Sequence, residues 1–323
     1  LPAASADAGG RSAASTRHGD EFDGVRAYRR GDALKLVVWK KAAQAFATGS
    51  DQLVSRDRPL SQQHRPWLDA KATGLAEGAI WVYNMMYELI GLCTSVVAQD
   101  ADGTVWHGRN LDFGLFMGVN ESTHNWILVP ALQDVLVNVR FTKGGEYVYD
   151  STTYAGFVGV TSGFKSNSFS LTVDTRFDAS IDRGVLGWLL GHHNDGQFLT
   201  FKTRETLEQL DTYTDAFKSL TTYKPLGPAY IILGGVAAGE GAIIAKTYNA
   251  SAERKNETWS PNADVWTLQE ALDAKSFYVL ETNYDRTAVP PAYDDRRYPA
   301  QDCFNKLGAD KLDAESLWHI MTT

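Results

Sequence analysis

Cys93 and Arg109 stand in two β-rich runs, 93–99 and 104–112, on either side of the turn signal Asp100-Ala-Asp-Gly103, and together these read as a hairpin. With Asp102-Gly103 as the central pair of a type I′ turn, residue 101 pairs with 104 and Cys93 falls opposite Asp112. A thiol and a carboxylate then share one end of the hairpin. Arg109 lies three residues before Asp112, so a regular strand sends those side chains to opposite faces. Both reach Cys93 only if the ladder ends or bulges near Asn110. A cysteine beside a guanidinium and a carboxylate is a candidate nucleophile, because positive charge favours thiolate and an anion can orient the donors. An isolated cysteine at a strand start is more often a small buried hydrophobe, and composition alone favours that reading. His107 alternates with Arg109 on one strand and reads as structural. His192-His193 reads as a loop or surface pair, since adjacent residues suit no shared ligand face. Cys93 and Cys303 lack the close pairing of a zinc site, so neither metal nor cofactor is expected.

The elements that must position these residues belong to a chain of 323 residues, 44% hydrophobic and 22% charged, which calls for a sizeable packed core. Its net charge of −8 offers no basic face for nucleic acid. Residues 1–92 hold 12 Lys and Arg against 10 Asp and Glu; residues 93–323 hold 19 against 29, so the acidity lies in the second part. Two cysteines exclude a disulfide scaffold. Leu1 in place of methionine is consistent with removal of a signal peptide, and Asn120-Glu-Ser, Asn249-Ala-Ser and Asn256-Glu-Thr are candidate glycosylation sequons.

Residues 1–20, rich in Ala, Ser, Gly and Asp, read as a disordered lead, and 33–46 as a helix. The apolar stretch 75–91 contains Glu77, Asn84 and Glu88 and reads as a buried helix, not a membrane span. After the hairpin, strands are expected at 126–129, 135–141, 146–150, 157–160 and 169–173. Helices follow at 183–190 and 203–220, then strands at 229–233, 241–246, 265–268 and 276–281. Strands, then helices, then strands describe an α+β layered architecture with antiparallel pairing.

Cys93-Thr-Ser-Val-Val-Ala-Gln-Asp100, followed by His107-Gly-Arg-Asn-Leu-Asp-Phe-Gly114, resembles the start of the mature catalytic subunit in the acid ceramidase and N-acylethanolamine acid amidase family. Further landmarks keep the same order: Tyr154-Ala-Gly-Phe-Val-Gly-Val-Thr-Ser-Gly-Phe164, Ala229-Tyr-Ile-Ile-Leu-Gly-Gly235, Gly239-Glu-Gly241, Glu281-Thr-Asn-Tyr-Asp-Arg286 and Asp294-Asp-Arg-Arg297. The likeness runs from about Leu75 to Met321. Asn110-Leu-Asp-Phe-Gly-Leu-Phe and Ser162-Gly-Phe-Lys165 resemble the ceramidase branch more than the amidase branch.

The resemblance implies an N-terminal-nucleophile hydrolase, an αββα sandwich with a preceding mainly helical segment. It would be made as a zymogen that cleaves itself at Leu92–Cys93. Residues 1–92 would then be an α subunit and 93–323 the catalytic β subunit. Cleavage frees the α-amine of Cys93, whose reference pKa of about 7.7–8.0 suits a proton acceptor beside its own thiol. Carried over residue by residue, Cys93 attacks the amide carbonyl, Arg109 and Asp112 position and polarise nucleophile and amine, Asn283 stabilises the oxyanion, and Arg296 supports the site electrostatically. The implied substrate is ceramide or a close N-acyl lipid. The implied partners are a membrane surface and a saposin-like lipid-presenting activator, and the implied location is lysosomal or secreted. A lipid-binding relative with weak activity and a bile-salt or penicillin amide hydrolase are the rival readings.

This chain departs from the pattern twice. Leu171-Thr-Val-Asp-Thr-Arg-Phe177 carries Thr175 where the family segment has Glu, with Asp174 beside it, and strand alternation sends the two to opposite faces. Cys303 matches a cysteine that would tie the two subunits, yet residues 1–92 contain none, so it is expected to be either a buried free thiol, the favoured reading, or bonded outside this sequence.

Overall fold

The computed structural model describes residues 25–27, 54–56, 74, 76, 78–80, 83–84, 92–112, 119–120, 122–123, 125–177, 196–247 and 263–322. In chain order its elements are β1 (Val25–Ala27), β2 (Val54–Arg56), β3 (Leu92–Gln99), β4 (Val105–Asp112), β5 (Val119–Asn120), β6 (Asn125–Trp126), α1 (Leu128–Gln133), β7 (Leu136–Lys143), β8 (Glu146–Tyr154), β9 (Ser162–Lys165), β10 (Phe169–Thr175), α2 (Leu199–Gln209), α3 (Tyr213–Thr222), β11 (Ala229–Gly234), β12 (Gly241–Lys246), β13 (Ala263–Thr267), α4 (Leu268–Asp273), β14 (Tyr278–Glu281), α5 (Arg297–Leu307) and α6 (Ala314–Thr322). The expected helices at 33–46 and 183–190, the His192-His193 pair and most of the apolar stretch 75–91 lie outside the described residues.

The chain divides into two compact units, residues 1–84 with 137–158, and residues 85–136 with 159–323. In the first, β1 pairs antiparallel with β2, Val25 opposite Arg56. Strands β7 and β8 meet at Gly144-Gly145, both with positive φ (61° and 92°), as a two-residue hairpin turn of the primed type requires. Phe141 and Tyr149 stack across this hairpin at 4.3 Å. Helical residue Asn84 receives the Val158 N–H on Oδ1 at 2.7 Å, and Tyr83 donates to the Ala155 carbonyl at 3.0 Å.

The second unit holds the chemistry. Its larger sheet runs β13-β12-β11-β10-β9 and its smaller one β14-β3-β4, every neighbouring pair antiparallel. Strands β11 and β12 are buried at every position because they are covered on both faces. Between the sheets pack Val97, Tyr230, Ile232, Ile243, Leu268 and Val279. The alternate residues of the small sheet, Val96, Ala98 and Leu280, turn outward onto Phe304, Leu317 and Met321 of α5 and α6. Helices α2 and α3 contact each other, and α3 covers β11. The layers of this unit are therefore helix, sheet, sheet, helix: the expected αββα sandwich. Among the described residues no helix is long and apolar enough to cross a membrane.

Several local expectations change. Residues 203–220 form two helices, because Thr212 caps α3 by accepting the Asp215 N–H at 3.1 Å and so interrupts the run. The run 126–129 enters helix α1 instead of a strand, 157–160 is irregular, and β9 was not foreseen. The two sheets approach closely at Gly241, where an added Cβ would lie 2.8 Å from both Leu268 Cβ and Val97 Cγ1. Gly241→Ala should therefore push the two sheets apart. A loss of about 1–3 kcal/mol is expected in urea unfolding, and an unchanged midpoint would contradict the packing.

Candidate active site

The hairpin that carries the nucleophile closes differently from the two-residue turn. Asp100 Oδ1 accepts the N–H groups of Asp102 (3.0 Å) and Thr104 (2.8 Å), and Asp100 N–H donates to the Thr104 carbonyl at 3.0 Å. Gly103, at φ +90°, completes a three-residue loop. Register consequently shifts by one: Cys93 faces Leu111, and Asp112 faces Leu92. A one-residue slip exchanges the faces of every side chain. It brings Arg109 onto the Cys93 face with no bulge, since Arg109 pairs with Ser95, and it leaves Asp112 on the other face, exposed.

Cys93 is 1% exposed. Arg109 Nη2 approaches its Sγ at 3.5 Å, while the same guanidinium donates to Ser162 Oγ and the Val173 carbonyl. The Cys93 N–H donates to Asn283 Oδ1 at 2.8 Å, and Arg296 Nη2 donates to that same oxygen at 2.6 Å. Asn283 Nδ2 donates to the Thr175 carbonyl at 2.6 Å, so an oxyanion contact from Asn283 would have to give up that bond. Arg296 Nη1 donates to the Cys93 carbonyl and, at 3.3 Å, to Thr94 Oγ1. Asp294 grips its other edge, accepting from Nε at 2.8 Å and Nη2 at 3.1 Å, and Tyr284 OH donates to Asp294 at 2.9 Å. Of the five expected catalytic residues, Cys93, Arg109, Asn283 and Arg296 converge; Asp112 is carried away by the register.

The sequence sets Asp174 beside Thr175 without fixing which of the two enters the site, and it does not single out Glu281. Asp174 is wholly buried on β10 and faces the small sheet. It accepts from Ser95 Oγ at 2.8 Å and stands 3.5 Å from Arg109 Nε. Burial pushes its carboxyl up to about 6, against the pull of Arg109. Glu281 pairs with Arg297 at 3.4 Å, both 3% exposed, and burial pushes its carboxyl up to about 8. Both positions stand inside quoted motifs, and strand alternation separates them from their neighbours without telling which face turns to the sandwich interior. His107 bridges Ser170 Oγ (2.8 Å) and Thr172 Oγ1 (3.0 Å), and burial holds its imidazole down at about 3. It is a neutral sheet-to-sheet tie, with no basicity to offer a substrate.

Cys303 is a free thiol and exposed, not buried, because Phe304 takes a core-facing position of α5 and turns its neighbour outward. Asn120 is exposed and its Oδ1 caps the turn at Ser122 and Thr123 (2.9 and 3.1 Å); Asn249 and Asn256 lie outside the described residues.

Residues 93–251 match the family described as linear amide C-N hydrolases, choloylglycine hydrolase family, and the match begins at Cys93 itself. The chain is 39% identical over 259 residues to an acid ceramidase of Macaca fascicularis, covering 79% of this chain and 61% of that protein. It thus spans about three fifths of that relative's length. It is 36% identical over 308 residues to an acid ceramidase of Heterocephalus glaber, covering 91% of this chain and 74% of the relative. Among solved structures, it resembles a Caenorhabditis elegans N-acylethanolamine-hydrolyzing acid amidase ortholog, at 28% identity and a TM-score of 0.55, covering 72% of this chain and 86% of the other.

Proposed function

The chain belongs to the acid ceramidase and N-acylethanolamine acid amidase family, and from that premise we propose that it hydrolyses the amide bond of an N-acyl lipid, ceramide ahead of N-acylethanolamines. The observation that carries this reading is the double hold on Cys93: its nitrogen sits 2.8 Å from Asn283 Oδ1 while its sulfur sits 3.5 Å from Arg109 Nη2. One residue thus presents a nucleophile and, once its nitrogen is a free amine, a base.

Self-cleavage at Leu92–Cys93 supplies that amine. Sγ attacks the Leu92 carbonyl carbon, the C–N bond breaks to leave a thioester and the Cys93 amine, and water hydrolyses the thioester. Residues 1–92 become the α subunit and 93–323 the β subunit. In turnover the amine takes the thiol proton as Sγ attacks the substrate carbonyl, then returns it to the departing sphingoid amine. Water next frees the fatty acid and restores the thiol. Arg109 favours the thiolate, and Arg296 with Asn283 aims the amine. Asp112 lies off the Cys93 face, so its share in this chemistry is indirect. A membrane surface or a saposin-like protein presents the lipid, in a lysosomal or secreted setting that fits the three sequons.

The likeness to the N-acylethanolamine-hydrolyzing acid amidase favours one second reading, preference for N-acylethanolamines. Parallel assays with ceramide and an N-acylethanolamine of the same acyl chain separate the two. Faster release of fatty acid from ceramide is the expected result, the reverse order assigns the second reading, and lipid binding with no release from either overturns both.

A further inference from the structure

Along β10 the side chains of Asp174 and Thr175 alternate to opposite faces. Thr175 is turned away from the thiol side, and its backbone carbonyl, not its side chain, takes part in the site by accepting from Asn283. Its neighbour Asp174 has the opposite facing, opposite Tyr230 in the ladder and directed at β3. We propose that Asp174 is the positioning carboxylate of this site, holding the Nε edge of Arg109 so that the Nη2 edge meets the Cys93 sulfur.

Three observations carry this. Arg109 is 5% exposed and Asp174 is wholly buried, so the pair is out of water and its geometry is fixed by its anchors. Those anchors lie on opposite edges of one planar fork: Asp174 at Nε, Ser162, Val173 and Cys93 at the two Nη atoms. Asp174 is itself seated by Ser95 Oγ, which also receives the Thr172 hydroxyl at 3.1 Å, so a chain of hydroxyls runs from β10 to β3 beneath the nucleophile.

The charge of Asp174 has a second effect. When ionised it offsets part of the Arg109 field at the sulfur; when protonated it leaves that field whole, and the thiolate is more favoured. The charged and titratable groups facing it are Arg109 and neutral His107 from β4, Arg296 ahead of α5, Glu281 from β14 and Tyr230 from β11. Burial raises the Asp174 carboxyl to about 6, so its proton is gained in mildly acidic solution.

The proposal rests on Cys93 being the nucleophile, but not on the substrate, and its test reads the thiol alone. The rate of Cys93 alkylation by iodoacetamide is followed against pH in the purified full chain, with peptide mass mapping to separate Cys93 from Cys303. Asp174→Asn keeps the oxygen that accepts from Ser95 and stands 3.5 Å from Nε but removes the charge, so the apparent thiol pKa should fall by about one unit. Asp174→Ala removes the anchor as well, Arg109 leaves the sulfur, and the thiol pKa should rise by about one unit or more. Ser95→Ala, which spares both charges, should raise the pH at which Asp174 ionises and extend the region of low thiol pKa to higher pH. Equal shifts in Asp174→Asn and Asp174→Ala, no shift in either, or no alkylation of Cys93 at any pH would overturn the assignment. Should Asp174→Ala not fold, the downward shift in Asp174→Asn and the Ser95→Ala displacement decide it. Opposite shifts without hydrolysis of any N-acyl lipid would sink the substrate reading and leave Asp174 in place.

Discussion

Cys93→Ala is expected to give a folded chain that stays joined at Leu92–Cys93 and turns over N-acyl amides at least about a thousandfold more slowly than the parent. Fold and chemistry separate cleanly at this position. The backbone of residue 93 makes the ladder with Leu111, donates to Asn283 and accepts from Arg296, and none of those contacts uses the sulfur. Alanine preserves them and removes only a small side chain, for a cost of order 1 kcal/mol in a packed interior. The reactive atom is irreplaceable, since among the described residues the other cysteine, Cys303, is on the surface of α5. Intact-mass measurement after acidic incubation, together with fatty-acid release, checks both halves. A fragment beginning at residue 93 in the alanine variant would mean that another group cuts the bond, and turnover within tenfold of the parent would remove Cys93 from the mechanism. Cys93→Ser is the informative partner: it retains a nucleophilic atom of higher pKa, so slow processing with weak turnover, not total loss, is its expected behaviour.

How much of this was written in the sequence follows from what each signal depends on. Strands β11 and β12 were legible almost residue for residue, because burial on both faces leaves an unbroken apolar run bounded by glycine. The hairpin was legible as a hairpin, but its register was set by the Asp100 side chain bonding two backbone N–H groups, which the Asp-Gly turn rule does not encode. That one-residue difference decides whether Asp112 or Arg109 accompanies the thiol. Residues 174 and 175 could be assigned to opposite faces from alternation alone, yet which face meets the small sheet is a tertiary fact, and it makes Asp174 the buried acid. Cys303 failed for the same reason in reverse: cysteine is a commonly buried residue type, but on α5 the inward positions go to Arg297, Ala300, Phe304 and Leu307.

Arg296→Ala is expected to lower kcat by about a hundredfold or more, close to 3 kcal/mol of transition-state stabilisation, with little change in KM. The reason lies in what the guanidinium joins. Its Nη2 shares Asn283 Oδ1 with the Cys93 nitrogen, its Nη1 holds the Cys93 carbonyl and Thr94 Oγ1, and its Nε is fixed by Asp294. Every one of these bonds orients the nucleophilic residue and none is spent on a substrate chain, so the loss should fall on the chemical step and not on binding. Without the cation Asn283 Oδ1 loses the bond from Arg296 Nη2 that sets it against the Cys93 nitrogen, and the amine can turn away from the sulfur whose proton it must take. Removal also leaves the Asp294 carboxylate, 10% exposed, with its ion pair broken. Arg296→Lys should recover little, because one ammonium cannot span acceptors on Asn283, Cys93 and Asp294 that a planar fork reaches together. Asp294→Asn should lie between, since it loosens the fork but keeps its charge. Steady-state kinetics on ceramide with thermal melting of each variant tests the argument: parental kcat in a folded Arg296→Ala chain would show that the amine is aimed by Asn283 alone, and a raised KM at parental kcat would move Arg296 from the nucleophile to the substrate.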